Sequence, residues 1–149
     1  MDQHATDSTK DTSRRFDVQL FIVHPTMDPA EITATLGLEG HFVHPVGAQR
    51  KTPSGMLLPG KYKDTRWRHS IRHHVEEQWF AAAVGEYVER LLPHKAFLHH
   101  LRSTGGRAML IVQFLGDGYF GDEIGRGTLA EIVELELDFG IECFSTPQS

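Results

Sequence analysis

The strongest hydrophobic pattern in the chain is Val75, Trp79, Phe80, Ala83, Val84, Tyr87, Val88, Leu91 and Leu92, with Glu76, Glu77, Gln78, Glu86, Glu89 and Arg90 between them. Apolar positions recurring at the 3.6-residue period predict an amphipathic helix over Val75 to Leu92, its apolar stripe laid across a sheet. Upstream, Phe16, Val18, Leu20 and Ile22 alternate with Asp17, Gln19, Phe21 and Val23. That period of two predicts a strand covered on one face, with its second face turning apolar towards the end. His24-Pro25 stops it. Asp28 as cap, Pro29 at the first position and Glu31 three residues after the cap then open a short helix that buries Ile32 and Leu36 and ends at Gly37.

The stretch from Glu39 to Asp64 is punctuated by Gly40, Pro45, Gly47, Pro53, Gly55, Pro59 and Gly60, so it reads as loop with a short strand near Phe42 to Val46. Thr65 to Ser70, built on Trp67, is a second short strand that feeds the long helix through Ile71 to His74. Pro93 interrupts that helix and starts another segment, which turns Phe97, Leu98 and Leu101 inward and closes at Gly105-Gly106. Arg107 to Leu115 is almost continuously apolar and predicts a strand central in its sheet. After a glycine-rich loop, Thr128 and Glu131 form a capping box for a helix to about Asp138, ended by Gly140, and Ile141 to Ser145 is the last strand. The mixture predicts an α+β domain: a two-layer sandwich, with a mixed or antiparallel sheet of four to five strands and helices packed on one face.

A chain of 149 residues with 40% hydrophobic content is enough for one core. Residues 1–14, with no large apolar residue after Met1, read as a disordered tail, and 15–146 as a single domain. Cys143 is the only cysteine, which removes internal disulfides and cysteine zinc cages and points to the cytoplasm. No apolar run has the length of a membrane span, so no membrane association is expected. In the last strand, Cys143 reads as a small buried hydrophobe.

The formal charge of −5 is unevenly spread. Between positions 50 and 72, Arg50, Lys51, Lys61, Lys63, Arg66, Arg68 and Arg72 meet only Asp64. Between 117 and 142, eight carboxylates meet only Arg126. Such poles can steer a charged partner.

Asp28-Pro29-Ala30-Glu31-Ile32, then Leu36-Gly37-Leu38, Gly47 and Arg66-Trp67-Arg68-His69-Ser70 resemble the bacterial family of domain of unknown function 4279. So do the helix pair ending near Leu101 and Gly105, and Leu129, Ile132, Leu135 and Phe139-Gly140-Ile141. At Gly40-His41 the chain departs from the proline expected after the Leu-Gly-Leu turn. The resemblance implies a small stand-alone bacterial domain and supplies no catalytic residues.

Three chemistries compete. His69 and His73, four residues apart with Glu77 four further on, would on a helix share a face and ligate zinc in a metal-binding protein or hydrolase, but a strand over Thr65 to Ser70 takes His69 off that face, and Ser70 stands where a zinc protease carries its glutamate. The basic tract, with Arg50, Lys51, Lys61, Lys63, Arg66 and Arg68 beside Tyr62 and Trp67, has the ingredients for a polyanion or nucleic acid. Gly116-Asp117-Gly118-Tyr119-Phe120-Gly121 satisfies G-x-G-x-x-G, but the helix cap follows too late and the nearby carboxylates would repel phosphate. The informative residues are otherwise caps, turns and core. The leading expectation is therefore a non-enzymatic protein-interaction module, of immunity or accessory type, with no catalytic residues and no cofactor, binding another protein rather than nucleic acid.

Overall fold

The computed structural model describes residues 14–144. Strand β1 (Arg15–His24) pairs along its whole length with β5 (Thr65–His74) on one side and, from Arg15 to Val23, with β6 (Arg107–Leu115) on the other, both antiparallel. Strand β2 (Phe42–His44) adds to β5, and β7 (Asp138–Phe144) lies parallel to β6, giving a mixed five-stranded sheet in the order β2-β5-β1-β6-β7. A separate hairpin, β3 (Gln49–Lys51) with β4 (Leu57–Lys61), stands beside it.

Helices α1 (Pro29–Leu36), α2 (Phe80–Leu91), α3 (Lys95–Ser103) and α4 (Arg126–Glu134) cover the sheet face that carries Phe16, Val18, Leu20 and Ile22. This is the two-layer α+β architecture that the patterns predict. Each fully buried side chain here, Ile32, Val84, Leu91, Leu98 and Leu135 among them, stabilises by about 1.5–3 kcal/mol. A parallel pair needs a crossover, and α4 supplies it between β6 and β7. The tail expected over 1–14 lies outside the described residues, Arg14 excepted, as do the last two positions of the expected domain.

Several local expectations are corrected. The long helix begins at Phe80, not Val75, because β1 pairs with β5 as far as Arg15 with His74, which holds Ile71 to His74 extended. A turn over Val75 to Glu77, closed by Glu77 and Gln78 donating to the His74 carbonyl, separates strand from helix. Val75 is buried and keeps the helical phase without being helical, while Trp79, the N-cap, is exposed.

The last helix opens at Gly125 rather than Thr128 and closes before Gly140. Its end is a Schellman motif: Leu137 donates to Ile132, Glu136 donates to Val133, and Glu136 takes the left-handed conformation at φ 58°. Gly140 therefore lies within β7, which begins at Asp138, and Cys143 is exposed on that edge strand rather than buried. Strand β6 is internal, but β1 occupies the centre. Pro93 breaks the helix pair as expected, within a 3-10 turn over Leu92–His94.

Trp67 is fully buried and its indole N–H donates to Thr33 Oγ1 at 3.0 Å. Gly40 lies so close that a Cβ there would stand 2.6 Å from Trp67 Nε1 and 2.7 Å from Val43 Cγ2. Glycine is required at this point because the backbone itself packs on the indole.

Candidate binding cleft

The loop between α1 and β5 is where chemistry-bearing side chains gather. The β3–β4 hairpin turns through Thr52, whose Oγ1 accepts from Met56 N and whose carbonyl accepts from Gly55 N. Its base is tied by Tyr62 N to the Ala48 carbonyl and Gly47 N to the Tyr62 carbonyl. The Tyr62 ring stacks on His44 with centroids 4.1 Å apart, and His44 also packs against Phe42 at 4.3 Å. These contacts fix the hairpin against β2.

Between hairpin and sheet lies an open cleft of about 600 Å³, lined by Arg50, Lys61, Lys63 and Arg66 together with His44, Tyr62 and Asp64. Arg50 Nη1 donates to the Pro59 carbonyl at 3.2 Å, and Arg66 Nε pairs with Asp64 Oδ1 at 3.0 Å. Burial, and after it the nearby Arg66 charge, draws the His44 imidazole below its usual range, so it is neutral near pH 7. Lys61 lines the cleft from the end of β4 and Lys63 from beyond it. The result is a concave, cationic surface with a single carboxylate.

Not all of the predicted basic residues join it. Lys51 is exposed on β3, where its backbone N–H and carbonyl meet the Tyr62 hydroxyl. Arg68 lies on the sheet face opposite the helices, its guanidinium 4.7 Å from the Phe21 ring centroid and 5.6 Å from that of Phe42. The hairpin that shapes the cleft is invisible to periodicity, since Gln49–Lys51 and Leu57–Lys61 are polar or exposed on both faces. The signal that does exist is the Pro and Gly spacing across the tract.

The two histidines expected to bind metal are on a strand, not a helix. On β5 they share the helix-covered face but sit roughly 13 Å apart along the strand, rather than one turn apart. His69 is buried, with Nδ1 2.7 Å from the Tyr87 hydroxyl and its ring stacked on His41 at 5.1 Å. Burial first, then the charges of His41 and Arg90, draw its pKa down, against the opposite pull of Glu39; burial pushes Tyr87 up. His73 stacks on Phe16 at 5.1 Å. Among the described residues, no group of three or more His, Cys, Asp or Glu side chains is placed to hold a metal ion.

The glycine-rich loop after β6 has a structural task. Asp122 Oδ2 accepts from Ala81 N at 3.1 Å, so a residue of this loop caps α2, whose own N-cap Trp79 has no capping side chain. No described helix is long and apolar enough to cross a membrane.

Fold and site together define a small α+β domain in which a helix-backed sheet carries a basic cleft at one edge. The chain belongs to the family of the domain of unknown function DUF4279, whose model matches residues 13–143. No curated protein and no solved structure matches it significantly.

Proposed function

We propose that this chain is a non-enzymatic protein-interaction module, of immunity or accessory type, that takes an acidic segment of a partner protein into the cleft beside the β3–β4 hairpin. The observation that carries the reading is convergence: the hairpin brings Arg50 against Lys61, Lys63 and Arg66 of one short segment, so that four cations line one concavity against the lone Asp64. Like charges held together in a concave site focus the field on an incoming anion and raise its association rate. The one carboxylate of the cleft, Asp64, is held by Arg66, which leaves the cationic groups to face an incoming anion.

A protein is favoured over nucleic acid by the aromatic residues. Single strands are held by exposed rings on which bases stack. Here Trp67 is fully buried and the Tyr62 face is taken by His44.

The test is binding of a labelled oligoglutamate peptide across a salt series, with Arg50→Glu/Lys61→Glu as the variant. The expected result is binding that weakens steeply with salt and falls about tenfold or more in the variant. Salt-independent binding, no effect of the variant, or tighter binding of a single-stranded oligonucleotide than of the peptide would overturn the reading.

A further inference from the structure

The opposite edge of the sheet has the reverse character. Among the described residues, strand β7 is hydrogen-bonded on one side only, to β6, and on it Phe139, Ile141 and Phe144 are 37%, 63% and 52% exposed. Edge strands are commonly shielded by lysine, proline or a bulge. Between Asp138 and Phe144 there is neither lysine nor proline, and the register with β6 runs unbroken.

Beside this edge lie two adjoining apolar hollows of about 330 Å³ each. Phe114 and Phe120 line both; Ile141 and Phe139 open onto the first, Cys143 and Phe144 onto the second. Phe139, Ile141 and Cys143 stand opposite Leu110, Val112 and Phe114, on the helix-covered face, so the hollows are met by every second residue of the edge. Val133 of α4, 73% exposed, lines neither hollow. The surrounding sequence from 117 to 142 is the acidic pole; Asp122 at the first hollow caps α2 and Asp138 is paired with Arg107, while Glu142 stands on β7 on the face away from the hollows, where it accepts from Gln113.

We infer that the free edge of β7 is a second binding site, which adds an extended strand of a partner protein whose alternate residues are apolar and whose intervening residues are lysine or arginine. The free backbone edge would supply register and much of the affinity, the hollows would take the apolar side chains, and Glu142, on the other face of β7, would favour lysine or arginine between them. The chain's own ends do not have this composition: residues 1–13 contain no large apolar residue beyond Met1, and 145–149 contain none. A second copy docked β7 to β7 would bring two sets of carboxylates together, which favours a cationic strand over self-pairing. This site is independent of the basic cleft.

The test uses the full chain and a short blocked peptide alternating valine and lysine, followed by fluorescence anisotropy and by amide hydrogen exchange over 138–144. Comparison peptides alternate valine with glutamate, or carry a central proline in the valine–lysine sequence. Binding of the valine–lysine peptide should slow exchange in β7, and both comparison peptides should bind at least about tenfold more weakly. Ile141→Lys, a substitution at an exposed position whose fold is checked by circular dichroism, should weaken it similarly, and Val133→Lys should weaken it less. No binding, equal binding of the proline peptide, or indifference to Ile141→Lys would overturn the inference. So would β7 amides that are protected without peptide in a protein whose mass rises with concentration, because a second copy would then occupy the edge.

Discussion

Asp17 and Arg72 face each other across β1 and β5 as a two-pronged ion pair, with Arg72 Nε 2.8 Å from Asp17 Oδ1 and Nη2 3.1 Å from Oδ2. The pair lies on the sheet face away from the helices, where Asp17 is nonetheless only 6% exposed. Hydrogen bonding to Asp17 raises the Arg72 pKa further above its ordinary value, partly offset by burial. Next to it, Gln19 Nε2 donates to Gln113 Oε1 at 2.9 Å and to Ser70 Oγ at 3.3 Å, and Gln113 Nε2 donates to Glu142 Oε1 at 2.6 Å. A polar row thus crosses from β5 to β7.

Asp17→Ala is expected to destabilise the fold by about 1–3 kcal/mol, because a charge-assisted two-pronged contact is lost while Arg72, half exposed, regains water. Urea unfolding checks this: the midpoint should fall with the slope unchanged. A midpoint equal to that of the parent protein would mean that the pair is stabilised no better than an ordinary surface contact.

Gly40→Ala should be costlier than its size suggests. The added methyl meets the indole and Val43 within 3 Å, so either Trp67 moves and its bond to Thr33 weakens, or β2 shifts. A loss of about 1–3 kcal/mol is expected, with a changed tryptophan emission as the local sign. Unchanged stability and emission would show that the loop yields freely.

What the residues alone disclose follows from the range of the interaction that decides each element. Helix α1 is legible because Asp28, Pro29 and Gly37 act locally: the Asp28 side chain does accept from Ala30 N, and Gly37 does adopt φ 66°. Strand β6 is legible from its own apolar run. The start of α2 is not, because Ile71 to His74 are held extended by a strand far away in sequence, while Val75 and Trp79 keep the helical phase by coincidence. The cleft is half legible. Its cations are visible as a tract, but which of them converge depends on a polar hairpin and on the stacking of Tyr62 on His44, and neither leaves a periodic trace.

Glu136→Gly is expected to stabilise the domain. Glu136 is the only non-glycine described residue with positive φ, and the left-handed conformation costs an L side chain about 1 kcal/mol that glycine avoids. The Schellman bonds to Val133 and Ile132 come from the backbone and survive the change. Thermal unfolding should shift upward by about 2–4 °C. A lower melting temperature would mean that the Glu136 side chain contributes more than its conformation costs.

Stability should fall as the solution is acidified below about pH 6.5, the ordinary imidazole pKa. Burial is the leading cause of a lowered pKa at His24, His69 and His73 alike. A group with a depressed folded pKa binds its proton more readily in the unfolded chain, so its contribution is complete above the unfolded pKa and is lost as pH falls through the folded one. His24 shows the mechanism most directly. Its Nδ1 accepts from Thr26 N at 3.0 Å and Met27 N at 2.9 Å, which leaves the ring proton on Nε2, facing Thr104 Oγ1 at 2.8 Å. Protonating Nδ1 would set a donor against two backbone donors and break the turn that leads into α1. Urea midpoints should therefore be flat from about pH 8 to about 6.5 and decline below it, while the His24 ring signals titrate below the ordinary imidazole value. Midpoints independent of pH across that window, or a His24 titration at or above the ordinary value, would mean that these rings are not held neutral by the fold.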